Sequence, residues 1–251
     1  MSKLVPNYRV EGEGPPLLLV HGFGISFNIW KELLPFLKPH FSVIMIELPG
    51  IGATPMPPEG SNYTTACIAG IDGLRKELGV TRWTVLGYSS GSRITEAYVQ
   101  AHPQDVCRAL FLCPLAIDAH KTRGLRLGLW LDSRMPAIGT WILSGWRLKL
   151  LISWLGFNLE RDPRAEDWYA ELSAVRVAAL KETVRAVAQA APGPFSVPVP
   201  YAMIWGDRDQ VPMTPRMPGE HDFFVHARHA APVEAPEPVA RLIVQLAGKA
   251  Q

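Results

Sequence analysis

Short runs of consecutive apolar residues alternate along the chain with stretches whose apolar positions recur every three or four residues. Five runs are mainly aliphatic or β-branched: Leu17–Val20, Val43–Ile46, Trp83–Leu86, Leu110–Cys113 and Ala202–Trp205. A strand buried on both faces reads as a continuous apolar run, because both of its alternating sides meet apolar neighbours. A shorter run, Phe223–Val225, is a candidate last strand. Ile94, Ala97, Tyr98 and Ala101 follow i, i+3, i+4, i+7 spacing, as do Val239, Leu242, Ile243 and Leu246. That spacing gathers apolar side chains on one helix face. Ile71, Leu74 and Leu78 predict a third helix, with Gly79 placed to end it. Strands alternating with helices predict an α/β fold with a mostly parallel central sheet flanked by helices.

Between Pro114 and Pro192 the alternation stops. Helical patterns continue there without a convincing strand, and the segment holds Trp130, Trp141, Trp146, Trp154 and Trp168. Pro192, Pro194, Pro198 and Pro200 lead back to the Ala202–Trp205 run. The pattern divides the chain into a core domain, 1–114 with 192–251, and a helical insertion over 115–191. Most apolar residues of the insertion are expected to pack it against the sheet domain. Arg123, Arg126, Arg134, Arg147 and Lys149 give it a basic tone. That face is expected to be solvated; contact with anionic lipid or an acidic substrate is the alternative.

Composition narrows the classes. Of 251 residues, 48% are hydrophobic and 19% charged, which excludes a disordered chain. The net charge of +2 comes without a long basic run, so nucleic acid is not an expected partner. Cys67, Cys107 and Cys113 make an odd set without metal-like spacing, and neither a disulfide framework nor a zinc site is expected. Met1 to Val10 lacks the apolar core of a signal peptide. The apolar stretch Trp141 to Phe157 is interrupted by Arg147 and Lys149 and is shorter than a membrane span. A cytoplasmic protein without stable membrane insertion is expected, and its oligomeric state is open.

Four blocks carry candidate chemistry. Gly87-Tyr88-Ser89-Ser90-Gly91 follows a predicted strand and precedes a predicted helix, the setting of a nucleophile elbow. The sharp turn requires small residues two positions either side of the nucleophile. Ser89 has glycine at both; Ser90 would have Tyr88 and Ser92. His21-Gly22-Phe23-Gly24 follows the Leu17–Val20 strand. A developing oxyanion needs two fixed donors, and the N–H groups of Phe23 and Ser90 are the candidates. His21 is expected to hold this loop by hydrogen bonding rather than to act in catalysis. Asp207 and Asp209 compete as the orienting acid after Ala202–Trp205. His221, His226 and His229 compete as the base near the last strand.

With Glu47-Leu48-Pro49-Gly50-Ile51-Gly52-Ala53-Thr54 added, these blocks resemble the α/β-hydrolase family, in the branch of esterases, lipases, cofactor-free haloperoxidases and C–C bond hydrolases. The resemblance implies an acid four residues after the tryptophan of W-G-x-x-D, which is Asp209. It implies a histidine in H-x-x-x-x-E-x-P, which is His229. It also implies a cap formed by the insertion, a Ser89–His229–Asp209 triad and an acyl-enzyme route needing neither metal nor organic cofactor. The expected partner is a small-molecule ester with a small to medium apolar group, bound near Phe23 and Tyr88. C–C bond hydrolysis of a ring-cleavage product, perhydrolysis, and a non-catalytic ligand-binding role are alternatives. Haloalkane dehalogenases and epoxide hydrolases of this fold carry aspartate where Ser89 stands. The sequence departs from the family at Glu47 and Thr54, which replace aspartate and serine, at Arg228, where glycine is common, and at Ser90, where a larger residue is common.

Overall fold

A computed structural model describes residues 5–115, 119–154, 165–190, 195–209, 211 and 219–248. Seven strands form one sheet among these residues: β1 (Tyr8–Glu11), β2 (Pro16–Val20), β3 (Ser42–Ile46), β4 (Trp83–Tyr88), β5 (Val106–Leu112), β6 (Tyr201–Gly206) and β7 (Asp222–Val225). Their spatial order is β1-β3-β2-β4-β5-β6-β7. β1 runs antiparallel on β3 and the other neighbours are parallel. The helices in chain order are α1 (Leu34–Leu37), α2 (Tyr63–Glu77), α3 (Gly91–Ala101), α4 (Ala119–Arg134), α5 (Pro136–Ile142), α6 (Gly145–Trp154), α7 (Ala165–Ala174), α8 (Val177–Gln189), α9 (Ala231–Glu234) and α10 (Pro236–Gly248). The fold is α/β, with a mostly parallel sheet between helical layers.

The apolar runs have a simple cause. Leu17, Leu19, Val43, Met45, Leu110 and Leu112 enter one core cluster. Their alternating neighbours, including Leu18, Ile44 and Phe111, enter the cluster on the other side. Successive strand residues point to opposite faces, so a sheet covered twice needs apolar residues at both parities. β1 escaped the sequence pattern for the converse reason: it is an edge strand whose Arg9 and Val10 are exposed. Gly79 ends α2 with φ +66°, and its N–H bonds Lys76 O at 3.2 Å. The Leu110–Cys113 run belongs to a longer strand starting at Val106, and Cys113 leaves it with φ +42°.

Helices α4–α8 occupy the chain between β5 and β6. Leu148, Leu172 and Leu180 join one sheet-domain cluster and Ala179 and Ala186 the other. Glu171 accepts from the backbone N–H of Ser26 at 3.0 Å and from Asn28 Nδ2 at 3.1 Å, and also pairs with the Ser26 hydroxyl. These contacts lay α7 and α8 over the loop that follows β2. The tryptophans behave otherwise than expected. Trp130, Trp141 and Trp146 are 53%, 58% and 61% exposed. Leucine and alanine of α6–α8 occupy the inner contacts instead, while α4, α5 and α6 turn apolar side chains outward. The side chains of Trp154, Trp168 and Lys149 lie outside the described residues. No helix among the described residues is long and apolar enough to cross a membrane.

Candidate active site

The Gly87–Gly91 turn joins β4 to α3, and Ser89 at its apex has φ +51°. A left-handed conformation at a non-glycine residue costs about 1–3 kcal/mol and persists only where its surroundings hold it. Here the Ser89 N–H bonds Leu112 O at 3.1 Å, and Ser89 O accepts from Ser92 N at 3.1 Å and Leu115 N at 3.2 Å. Ser90 has φ −62°, so only Ser89 has the elbow conformation. The flanking glycines are sterically required. A Cβ on Gly87 would stand 2.7 Å from Ser92 Cα, and one on Gly91 would drive into the carbonyls of Val20 and His21. A Cβ on Gly22 would meet Ser89 Cβ at 3.0 Å, so the loop after β2 lies directly against the elbow.

Three buried side chains converge there. His229 Nε2 lies 2.8 Å from Ser89 Oγ, and His229 Nδ1 lies 2.8 Å from Asp209 Oδ2. Asp209 Oδ1 accepts the backbone N–H of Val211 at 2.9 Å. A carboxylate only accepts, so the proton between Asp209 and His229 sits on Nδ1. Nε2 is thereby left with a lone pair facing the Ser89 hydroxyl. Asp209 comes from the turn after β6 and His229 from the loop after β7. These are the carboxyl ends of parallel strands, where α/β sheets place their sites. The rivals are elsewhere. Asp207 is exposed and bonds His226 Nδ1 at 2.8 Å, an interaction that holds its carboxyl below the usual range. His221 packs on the Tyr201 ring, with centroids 4.5 Å apart.

The loop after β2 is locked from below. The Leu48 N–H donates to His21 Nε2 at 2.9 Å, which leaves Nδ1 to donate to Gly22 O at 2.8 Å. Burial lowers the His21 pKa to about 4, keeping the ring neutral. Among the described residues no protein acceptor takes the backbone N–H of Phe23 or Ser90. The Glu47 departure keeps its framework role: Oε2 accepts from Asn7 Nδ2 at 2.8 Å and from Ala53 N at 2.7 Å. Thr54 Oγ1 accepts Asn7 N and donates to Glu47 O, both at 2.8 Å.

Tyr88 requires a correction. It is buried at the end of β4, and its hydroxyl donates to the His229 carbonyl at 3.0 Å. Its ring lies against His229 and Trp30, with centroids 5.5 and 5.9 Å away. Those contacts leave it no face for a substrate; it supports the histidine loop. Glu234 does the same from the other side. It accepts the Arg228 N–H at 2.8 Å and Nε at 3.0 Å, which pins the residue before His229 although that residue is not glycine. Cys113 was missed as a site neighbour. Its Sγ, an Asp209 oxygen and a His229 nitrogen all lie within 4.8 Å of one another. The available signal was its place at the carboxyl end of a predicted strand. Asp209 Oδ2 and His229 Nδ1 are already joined by a hydrogen bond at 2.8 Å. Asp72, His102 and Asp105 form a second such group, but Arg75 already pairs with both carboxylates, at 3.0 and 3.1 Å.

Residues 15–141 match the family described as the alpha/beta hydrolase fold, half of the chain. This protein belongs to the α/β-hydrolase family. Among its relatives is a pimeloyl-[acyl-carrier protein] methyl ester esterase of Legionella pneumophila (strain Lens), 49% identical over 46 residues, which are 18% of this chain and 19% of that protein. A fluoroacetate dehalogenase of Burkholderia sp is 32% identical over 104 residues, 40% of this chain and 34% of that enzyme. The chain thus matches only a fifth to a third of the length of these relatives. A thermophilic esterase from Thermogutta terrifontis superposes with a TM-score of 0.77 at 20% identity, over 97% of this chain and 93% of that one. This α/β-hydrolase therefore shares its whole fold with a solved esterase, while its sequence likeness to curated relatives is local.

Proposed function

We propose that this α/β-hydrolase cleaves carboxylic esters of small to medium apolar groups through an acyl-enzyme on Ser89. The observation that carries this reading is the unbroken line Asp209–His229–Ser89, with 2.8 Å at each step, ending on a serine at φ +51°. Ser89 Oγ attacks the ester carbonyl while His229 Nε2 takes its proton. Asp209 holds the tautomer and stabilises the imidazolium. The N–H groups of Phe23 and Ser90 receive the oxyanion. The imidazolium protonates the departing alcohol, and water activated by His229 then releases the acid. No metal or organic cofactor enters these steps. A serine hydroxyl at the elbow supports acyl transfer rather than the carboxylate displacement used by dehalogenases of this fold. Phe23, half-buried, with Leu172 and Leu180 packed against Gly24, supports an apolar group at the ester.

Hydrolysis of p-nitrophenyl esters from acetate to palmitate, with wild type and Ser89→Ala side by side, tests this. We expect turnover of the shorter esters and a fall of about 10⁴-fold or more in the variant. Equal rates in both proteins would remove Ser89 as nucleophile. Turnover of a vinylogous diketone without any ester would keep the triad and replace the bond it cleaves.

A further inference from the structure

Twelve large apolar side chains are at least 40% exposed among the described residues, and nine of them fall between 127 and 150. They are ordered. Leu127, Trp130 and Leu131 share one face of α4; Ile138 and Trp141 share one face of α5; Trp146 and Leu150 are one turn apart on α6. Spacing of three or four residues makes a stripe that an ordinary surface helix turns toward the core. Here the stripe faces outward. Two polar residues of α4 tie it to α8: Asp132 pairs with Lys181 at 2.7 Å, and Arg126 Nε donates to Ala188 O at 3.0 Å. An outward apolar band of this extent marks an interaction surface.

Its charge identifies the class of partner. From Ala119 to Leu150 the chain carries Lys121, Arg123, Arg126, Arg134, Arg147 and Lys149 against one acid, Asp132, which is already paired. The arginines sit among the indoles: Arg134 lies 5.3 Å from the Trp130 ring centroid, and Arg147 lies 4.1 and 5.3 Å from those of Trp141 and Trp146. We infer that this face docks on an anionic phospholipid membrane, with the indoles at headgroup depth and the guanidinium groups on the phosphates. Exposed tryptophan beside arginine on short amphipathic helices is the composition of an interfacial, non-spanning surface. A second copy is disfavoured because two such faces would bring like charges together. The inference does not depend on Ser89.

Flotation of the full chain tests it, using vesicles of phosphatidylcholine alone and with about one-third phosphatidylglycerol, together with light scattering in free solution. We expect a monomer that floats only with the anionic vesicles, with a blue-shifted tryptophan emission. Binding should weaken about tenfold or more on moving from roughly 0.1 to 0.5 M salt, which needs no variant. Arg134→Glu with Arg147→Glu should cut partitioning by at least about 25-fold. Trp130→Ser with Trp141→Ser and Trp146→Ser should abolish the blue shift, with circular dichroism unchanged. No flotation on anionic vesicles, or variants that bind as wild type does, overturns the inference. So does a dimer that dissociates in the tryptophan variant, or binding to an acidic carrier protein without binding to vesicles.

Discussion

Replacing Asp209 by asparagine tests the triad through a tautomer. Asp209 Oδ1 is fixed as the acceptor of the Val211 N–H at 2.9 Å, so the amide oxygen of asparagine would take that position. Its NH₂ group would then face His229 Nδ1, 2.8 Å away. Two donors cannot share that contact, so the imidazole would place its proton on Nε2 and point N–H at Ser89 Oγ. The base is lost while the shape is kept. A change of this kind costs about 10⁴-fold in kcat, equivalent to about 5 kcal/mol at 1.36 kcal/mol per decade. The assay is kcat and KM for the best p-nitrophenyl ester across pH, with Asp207→Asn as the control. Asp207 is exposed and pairs with His226, the Ala227 N–H and Arg208, away from Ser89, so its variant should stay within about threefold of wild type. Retention of more than about a tenth of wild-type kcat by Asp209→Asn, or the large loss in Asp207→Asn instead, would remove Asp209 as the orienting acid.

Two further outcomes follow from the framework. Gly91→Ala should destabilise the protein by about 3 kcal/mol or more in urea unfolding, because a Cβ there meets main-chain carbonyls that cannot turn aside. His21 is neutral and buried in the folded protein, with its pKa lowered to about 4 from 6.5. The unfolded chain therefore binds the extra proton between those values, and stability falls as pH drops from about 6.5 to about 4, by about 3 kcal/mol. Urea midpoints across that window should show this slope in wild type and lose most of it in His21→Gln; an identical slope in both would remove His21 as its source.

Much of the architecture was legible because burial on both faces writes itself into composition. The runs at Leu17–Val20, Val43–Ile46 and Trp83–Leu86 name the central strands, since side chains on both of their sides enter apolar clusters and Thr84 is their one polar residue. The elbow was equally plain, because the glycines around Ser89 are demanded by contacts within a few residues and against the neighbouring strand. β1 was not legible: an edge strand with exposed Arg9 and Val10 has no continuous apolar signature.

Residue spacing alone could not choose between Asp207 and Asp209, or among three histidines. That choice came from family resemblance, and only the fold sets a separation of 2.8 Å across residues twenty positions apart in the chain. Local pattern was enough for a parallel sheet, a strained serine turn and a tryptophan-rich stretch without strands. Tertiary structure decided the rest. It commits the Tyr88 hydroxyl to the His229 loop, brings Cys113 beside Asp209, and turns the apolar stripes of α4 to α6 outward. Periodicity says that a helix has an apolar face; only the packing of its neighbours decides which way that face looks.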